Sequence, residues 1–176
     1  MSAQTQILFA GFGGQGILFS GKFLAYEGLL QGREVSWLPS YGPEMRGGTA
    51  NCSVIISDEP VGSPIVAAPD ILIAMNLPSL DKYERAVKPG GTVYIDSSLI
   101  GRKTERTDVK AVYIPATQTA SDHGIPRLAI IIMLGKIFAN ESEPALKAAL
   151  EKAVSSKRGN MVEENLKALS IGKNFN

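Results

Sequence analysis

Residues 7–16 have the sequence ILFAGFGGQG, and this stretch decides the fold. Its first four residues form a short apolar run, which is typical of a strand buried on both faces. The glycine cluster ends the run, and from Ile17 to Leu30 apolar residues recur at roughly helical spacing, with Gly32 as a stop signal. Residues 34–38 (EVSWL) predict a second strand. A strand, a glycine loop, a helix and a strand within this length match the requirements of a parallel crossover.

The rest of the chain continues the alternation of strands and helices. Strands are predicted at 52–56, 70–75, 92–96 and 109–114, and helices at 76–87, 125–139, 143–156 and 160–169. Residues 39–51 lack apolar periodicity and predict a long, shaped loop, a kind of segment that is often functional. Three glycines and a proline stand within residues 40–49. The pattern as a whole predicts the α/β class: a three-layer α/β/α domain with a mainly parallel, Rossmann-like sheet and C-terminal helices.

Composition excludes several classes of function. A net charge of +1 without a dense basic run argues against nucleic-acid binding. The longest apolar run, residues 128–134, is too short to span a membrane, and no basic segment precedes the glycine motif, so we expect a cytoplasmic protein. A single cysteine, Cys52, cannot supply the four thiolates of an iron–sulfur cluster, and a single histidine, His123, argues against a zinc site.

The glycine loop itself allows more than one interpretation. Residues 11–16 (GFGGQG) match the dinucleotide fingerprint G-x-G-x-x-G between a strand and a helix, where backbone N–H groups can meet a phosphate. That fingerprint also requires an acidic residue at the end of the second strand, but Glu34 stands at its start. An NAD(P) or flavin site is therefore disfavoured. Contact with some other phosphate, or close packing of helix on strand, remain as interpretations.

The loop at residues 42–52 (GPEMRGGTANC) is the most distinctive segment. It places Glu44 and Arg46 two residues apart, beside Gly47 and Gly48. One interpretation is an ordinary surface ion pair, which contributes little to stability. The other is an arginine that, together with backbone donors, binds an anion or contacts another subunit.

Taken in order, these two motifs resemble the gamma subunit of 2-oxoacid:ferredoxin oxidoreductases. The resemblance rests on GFGGQGI at 11–17 and SYGPEMRGGTA at 40–50, and it extends through Gly62-Ser63-Pro64 and Lys88-Pro89-Gly90-Gly91. The sequence GPEMRGG at 42–48 is similar to that of the 2-oxoglutarate and branched-chain 2-oxoacid members. The chain departs from the family at 127–132 (RLAIII), where members often carry asparagines.

The resemblance implies that residues 1–176 are a single gamma domain in a multi-subunit enzyme. Such an enzyme, here most similar to the 2-oxoglutarate type, decarboxylates the 2-oxoacid oxidatively to acyl-CoA, CO2 and reduced ferredoxin. Thiamine diphosphate, Mg2+, iron–sulfur clusters and coenzyme A belong to the assembled complex, with its alpha and beta subunits and a ferredoxin-like delta subunit. This chain would hold no redox centre, catalytic residue or metal ligand. A free-standing NAD(P)- or flavin-binding enzyme and a non-catalytic interaction module remain the alternatives.

Contacts on the cofactor or coenzyme A side are expected from the two motif loops. The candidate residues are Gly11, Gly13, Gly14, Gln15, Gly16, Glu44, Arg46, Gly47, Gly48 and Thr49. For Arg46, an anion contact and a place in the inter-subunit seam are both open.

Other polar residues have simpler interpretations. Cys52 is expected to be a buried small residue, and His123 to cap or precede the helix that follows it. Residues 96–98 (DSS) are expected to form a turn or an N-cap at the carboxyl end of a strand, with the polar loop 117–121 lining the same crevice. The run RKTER at 102–106 is interpreted as a solvated turn.

Overall fold

The computed structural model describes residues 4–40, 49–154 and 160–175. Strands within these residues are β1 (Thr5–Phe12), β2 (Glu34–Ser40), β3 (Thr49–Ser57), β4 (Ile71–Ala74), β5 (Thr92–Asp96) and β6 (Lys110–Ile114). The α-helices are α1 (Ile17–Leu30), α2 (Leu77–Tyr83), α3 (Ala116–Asp122), α4 (Ala129–Ile137), α5 (Glu143–Ala153) and α6 (Asn160–Lys173). Short 3-10 turns follow α2 at Glu84–Ala86 and precede α4 at Pro126–Leu128.

The strands form one sheet in the order β2-β3-β1-β4-β5-β6. β1, β4, β5 and β6 run parallel, whereas β3 is antiparallel to both β1 and β2. The predicted α/β class with a mainly parallel sheet is confirmed. The crossover from β1 to β2 differs in one respect from the expectation: the two strands point the same way, but β3 lies between them.

β1 is buried because side chains cover both faces of the sheet. Phe9 points into the larger core together with α1, while Leu8 points into a smaller core that contains Leu80 of α2. In β4, Ile73 and Leu72 divide between the same two cores. The chain therefore leaves β1 toward one face and β4 toward the other. Such a switch point, above the carboxyl ends of neighbouring strands, is where open α/β sheets bind ligands.

The larger core is closed by a helix pair that meets through glycines. α4 is buried from Ala129 through Gly135. A Cβ atom on Gly135 would overlap the carbonyl oxygen of Leu169 in α6, and one on Gly172 would overlap that of Ile132 in α4. The missing side chains therefore allow the two backbones to touch. The predicted buried helix at 125–139 is confirmed over its central part.

Two details of the sequence-based description are wrong. The predicted loop at 39–51 is too long, because Pro39 and Ser40 continue β2 and residues 49–51 begin β3. A proline is tolerated there because β2 is the edge strand. Residues 117–121, predicted as a loop, lie in α3. Their composition, ATQTASD across the helix, carries no apolar periodicity that would have revealed it.

Among the described helices, none combines the length and apolar character that a membrane crossing requires. Histidine, cysteine and carboxylate side chains do not gather into a group that could hold a metal ion anywhere in residues 4–40, 49–154 and 160–175.

Candidate functional site: the crevice above β1 and β4

The glycine loop has a geometry that side chains would obstruct. Gly14 and Gly16 have φ values of +89° and +80°, a region that residues with a Cβ atom rarely adopt. At Gly11 a Cβ atom would lie 2.6 Å from Oε1 of Gln15 and 2.8 Å from Cδ1 of Ile17. The glycines therefore serve both a left-handed turn and a close packing of loop on strand.

The side chain of Gln15 links the glycine loop to the residue after β4 by hydrogen bonds. Its Oε1 accepts the backbone N–H of Phe12 at 2.6 Å, and its Nε2 donates to the carbonyl oxygen of Met75, just beyond β4, at 3.2 Å. The side-chain amide and the N–H of Phe12 are thus used within the protein. A bound anion would have to use the N–H groups of Gly13, Gly14 and the first turn of α1. That helix has Gly16 as its N-cap without a side-chain hydrogen bond, and no acidic residue in its first turn.

Two cavities open on either side of this loop. One, of about 270 Å³, is lined by Phe12, Gly13, Gly14, Gly16, Ile17, Leu18, Phe19 and Ala50. The other, of about 250 Å³, is lined by Gly14, Gln15, Met75, Leu99, Thr117, Pro126, Arg127 and Ala129. The second cavity takes residues that follow β1, β4, β5 and β6, so it is the crevice that the topology predicts.

Arg127 supplies a positive charge to this crevice. It is exposed, and it makes no ion pair or hydrogen bond with any residue in the described ranges. It precedes α4, whose amino end carries the positive end of the helix dipole. An arginine beside helix N-termini and glycine N–H groups can bind phosphate or carboxylate. The sequence analysis did not select Arg127, because an isolated arginine between Pro126 and Leu128 gives no motif.

Asp96 organises the floor of the crevice and is not available as a base. This fully buried carboxylate accepts the backbone N–H of Ser98 at 3.0 Å, and both the N–H and the hydroxyl of Thr117, the latter at 2.5 Å. Ser98 in turn accepts the N–H of Gln118 at 3.0 Å. The expected turn at 96–98 is therefore confirmed, and it also anchors α3 and places Thr117 in the crevice.

The sheet order argues against a dinucleotide site of the usual kind. In that fold the acidic ribose-binding residue stands at the end of the strand beside β1. Here the neighbour of β1 on that side is the antiparallel β3, which begins at Thr49 opposite Phe12. The place of the acidic residue is thus occupied by the start of another strand.

The second motif is attached at the same end of the sheet. Ser40 ends β2, Thr49 begins β3, and Thr49 pairs with Phe12 directly before the glycine loop. The predicted contacts of Glu44, Arg46, Gly47 and Gly48 lie outside the described residues. The backbone of Thr49 is the part of this motif that the structure brings to the site.

Cys52 has the buried position that was expected, and His123 precedes the following helix as expected, although it also ends α3, which was not predicted. Cys52 is fully buried, and burial raises the pKa of its thiol to about 12, with a weaker opposing effect from a hydrogen bond with Trp37. His123 is the C-cap of α3, and its Nδ1 lies 2.9 Å from the carbonyl oxygen of Thr119. Neither residue faces the crevice.

The run at 102–106 is not a solvated turn, which corrects the sequence-based interpretation. Arg102 forms ion pairs with Asp81 at 2.6 Å and with the buried Glu84 at 2.8 Å. Glu84 also accepts hydrogen bonds from the hydroxyl of Thr104 and the N–H of Glu105. Burial alone raises the pKa of Glu84, but these hydrogen bonds outweigh it, and the pKa is lowered. Residues 102–106 therefore hold the segment after α2 through an ion pair and hydrogen bonds to Glu84.

Comparison with known proteins identifies relatives over nearly the whole chain. A family model described as pyruvate ferredoxin/flavodoxin oxidoreductase matches residues 6–175. The chain is 39% identical to ketoisovalerate oxidoreductase subunit VorA of Methanothermobacter marburgensis, covering 98% of this chain and 36% of VorA. It is also 39% identical to 2-oxoglutarate synthase subunit KorC of Methanocaldococcus jannaschii, covering 96% of this chain and 92% of KorC.

Solved structures give the same result. The keto/oxoacid ferredoxin oxidoreductase gamma subunit of Geobacter sulfurreducens superposes with a TM-score of 0.78 and 32% identity, over 96% of each chain. A chain of the 2-oxoglutarate:ferredoxin oxidoreductase of Magnetococcus marinus, with 2-oxoglutarate, coenzyme A and succinyl-CoA bound, gives a TM-score of 0.84 and 29% identity. The match covers 97% of this chain and 30% of the Magnetococcus chain. The chain therefore spans about a third of the length of the Magnetococcus chain and of VorA. The resemblance found in the two motifs is confirmed: the chain belongs to the pyruvate ferredoxin/flavodoxin oxidoreductase family.

Proposed function

We propose that the chain is the gamma subunit of a multi-subunit 2-oxoacid:ferredoxin oxidoreductase that forms acyl-CoA, CO2 and reduced ferredoxin. The observation that carries this proposal is the match to the Geobacter gamma subunit over 96% of both chains. The identity of 39% to the 2-oxoglutarate synthase subunit KorC supports the same role. The active complex would then require further chains, namely alpha and beta subunits and a ferredoxin-like delta subunit.

The redox chemistry belongs to those other chains in this proposal. Iron–sulfur clusters are held by cysteine thiolates, and the chain has one cysteine, Cys52, which is fully buried. Thiamine diphosphate is held through Mg2+, a hard cation that takes oxygen ligands, and the described residues present no carboxylate group suited to it. The residues that the structure describes thus do not fit either group, and we assign no chemical step to them.

The crevice above β1 and β4 is proposed to bind the phosphate end of coenzyme A. Arg127, the glycine N–H groups and the amino end of α1 form an anion-binding set, and the flanking cavities have apolar walls suited to the remainder of the molecule. The Magnetococcus relative was solved with coenzyme A bound. Gly11, Gly13, Gly14, Gln15 and Gly16 would shape this site.

The second motif loop is proposed to complete the site or the subunit seam. In sequence, Glu44, Arg46, Gly47, Gly48 and Thr49 stand between β2 and the start of β3, and Thr49 pairs with Phe12 directly before the glycine loop. Arg46→Ala would separate the two roles: a raised KM for coenzyme A in a normally assembled enzyme indicates an anion contact, and failure to co-purify with the partner chains indicates a seam. Unchanged assembly and kinetics with a large fall in thermal stability would contradict both.

The 2-oxoacid is proposed to be 2-oxoglutarate, with the branched-chain acid ketoisovalerate as the second candidate. KorC and VorA are both 39% identical to the chain, so identity alone does not separate them. The Magnetococcus relative, which superposes with a TM-score of 0.84, is a 2-oxoglutarate:ferredoxin oxidoreductase, and this favours the 2-oxoglutarate type. Assays of the purified complex with each acid would decide, and exclusive use of ketoisovalerate would overturn the assignment.

The test of the anion site is a kinetic comparison on the reconstituted complex. Arg127→Ala is expected to raise the KM for coenzyme A about tenfold, the effect of losing one charge-assisted hydrogen bond, with the KM for the 2-oxoacid unchanged. Arg85→Ala is the matched control, since Arg85 is an exposed arginine on the 3-10 turn after α2, away from the crevice residues. An equal KM for coenzyme A in both variants would remove Arg127 from the site.

A further inference from the structure

Another cavity, separate from the two beside the glycine loop, lies at the opposite end of the sheet. It has a volume of about 250 Å³ and lies beside the amino halves of β1 and β4 and the carboxyl ends of α1 and α4. Its apolar wall includes Ile7, Leu24, Ile71, Ile73, Leu134 and Ile137. An apolar cavity of about 150 Å³ is sufficient to hold benzene, so this space can receive an aliphatic chain.

A buried carboxyl group lies beside this apolar wall, among the polar residues that complete the lining. Glu27, on the last turns of α1, is 5% exposed and lines the cavity together with Glu141, which follows α4. The pKa of Glu27 is raised to about 7, first by burial and then by the negative charge of Glu141. The side-chain amide of Gln31 donates to Oε1 of Glu27.

The charged groups around Glu27 leave the cavity acidic. Arg33 also lines the cavity and opposes the raised pKa of Glu27, but it forms an ion pair with Asp58 at 2.6 Å, so two carboxyl groups of the lining face one guanidinium that is already paired. Lys173 of α6 donates to the main-chain carbonyl of Glu141 at 2.5 Å. The carboxyl ends of α1 and α4 add the negative ends of two helix dipoles, and α1 has no basic residue in its last turn. Both the side chains and the helices therefore favour a positive ligand.

We propose that this cavity binds a primary alkylammonium group, with Glu27 and Glu141 as its counter-ions and the isoleucine side chains around its alkyl chain. The ammonium group supplies three donors to carboxylates that offer acceptors, and the alkyl chain contacts the apolar side chains of the wall. This site is independent of the proposed coenzyme A site, because the two lie at opposite ends of the parallel strands.

The test is calorimetric titration of the purified chain with n-pentylammonium and with 1-pentanol, which has the same chain length but no charge. At about pH 8 the ammonium is expected to bind at least about tenfold more tightly than the alcohol. Its affinity should fall about tenfold from about pH 8 to about pH 6, because protonation of Glu27 competes with the ligand. Equal, pH-independent binding of the two compounds would overturn the proposal, as would no binding of either.

Two variants locate the effect. Glu27→Gln keeps the shape of the side chain and should abolish both the preference for the ammonium and the pH dependence. Glu151→Gln removes an exposed carboxylate on α5 and should leave binding unchanged. Undiminished ammonium binding by Glu27→Gln would refute the site. Nα-acetyl-lysine methylamide, compared with n-pentylammonium, distinguishes the two sources of this chemistry: tighter binding of the lysine derivative indicates a partner's side chain, and tighter binding of the amine indicates a free metabolite.

Discussion

Replacing Glu27 by glutamine should stabilise the protein above neutral pH and have a much smaller effect in acid. The pKa of this carboxyl is raised from an ordinary 4.5 to about 7, first by burial and then by Glu141. At 1.36 kcal/mol per pKa unit, the difference corresponds to about 3 kcal/mol. Since domains of this kind unfold with about 5–15 kcal/mol, the effect is a large share of the total.

The sign of this pH dependence follows from the proton that Glu27 binds. The folded protein binds the proton on Glu27 more tightly than the unfolded chain does, so this contribution to stability is complete below about pH 4.5. It declines as the pH rises to about 7, and above that value it is lost. Glutamine has no proton to lose. The difference in free energy of unfolding between Glu27→Gln and the natural chain should therefore grow by about 3 kcal/mol over this range.

Urea denaturation followed by circular dichroism, at constant ionic strength and several pH values, measures this difference. Other carboxyls with shifted pKa values, such as Glu84 and Asp108, are shared by both proteins and cancel. Glu151→Gln, which removes an exposed carboxylate on α5, is the control. A constant difference for Glu27→Gln between about pH 4.5 and about pH 8 would show that Glu27 ionises normally and that the argument is mistaken.

Three further substitutions or reactions test other parts of the structure. Gly172→Ala should lower the free energy of unfolding by about 2 kcal/mol or more, because its Cβ atom would overlap a carbonyl of α4. Gly62→Ala is the control, and because open space surrounds Gly62 it should change the free energy of unfolding by about 0.5 kcal/mol or less. Similar values for both variants would disprove the close helix contact. Glu84→Gln should cost about 1–3 kcal/mol in urea denaturation at neutral pH, and the loss should shrink in acid, because the lowered pKa of Glu84 gives stability that disappears as the pH falls. The thiol of Cys52, with its pKa raised to about 12, should not react with Ellman's reagent at about pH 8 until urea unfolds the chain, and rapid reaction of the native protein would contradict its burial.

Much of the fold could be predicted from periodicity, because most of its elements obey simple local rules. α1 follows from apolar residues at helical spacing, and β5 from a short run that ends at Asp96. The insertion of β3 between β1 and β2 could not be predicted, since strand order depends on pairing between distant residues. α3 was missed because Asp96, twenty-one residues before Thr117 in sequence, provides the hydrogen bonds that begin it.

The candidate site was predictable where it depends on backbone conformation and not where it depends on proximity. Glycines at Gly14 and Gly16 indicate a left-handed turn in any sequence. The role of Gln15 depends on its reach to Met75, which no spacing rule reveals. Arg127 is similar, since only the fold brings it beside the glycine loop. The family resemblance identified the two motif loops because their sequences are specific. It gave no information about the roles of the residues between those loops.

The glycine contact between α4 and α6 has a consequence for how the protein is made. α4 is buried on all sides from Ala129 through Gly135, and α6 forms one of those sides. During synthesis α4 leaves the ribosome well before Gly172 does, so the nascent chain carries an uncovered, strongly apolar helix for the time needed to translate α5 and α6. A chaperone that holds exposed apolar segments would act in that interval, and slow codons after α4 would lengthen the period during which the chain can aggregate.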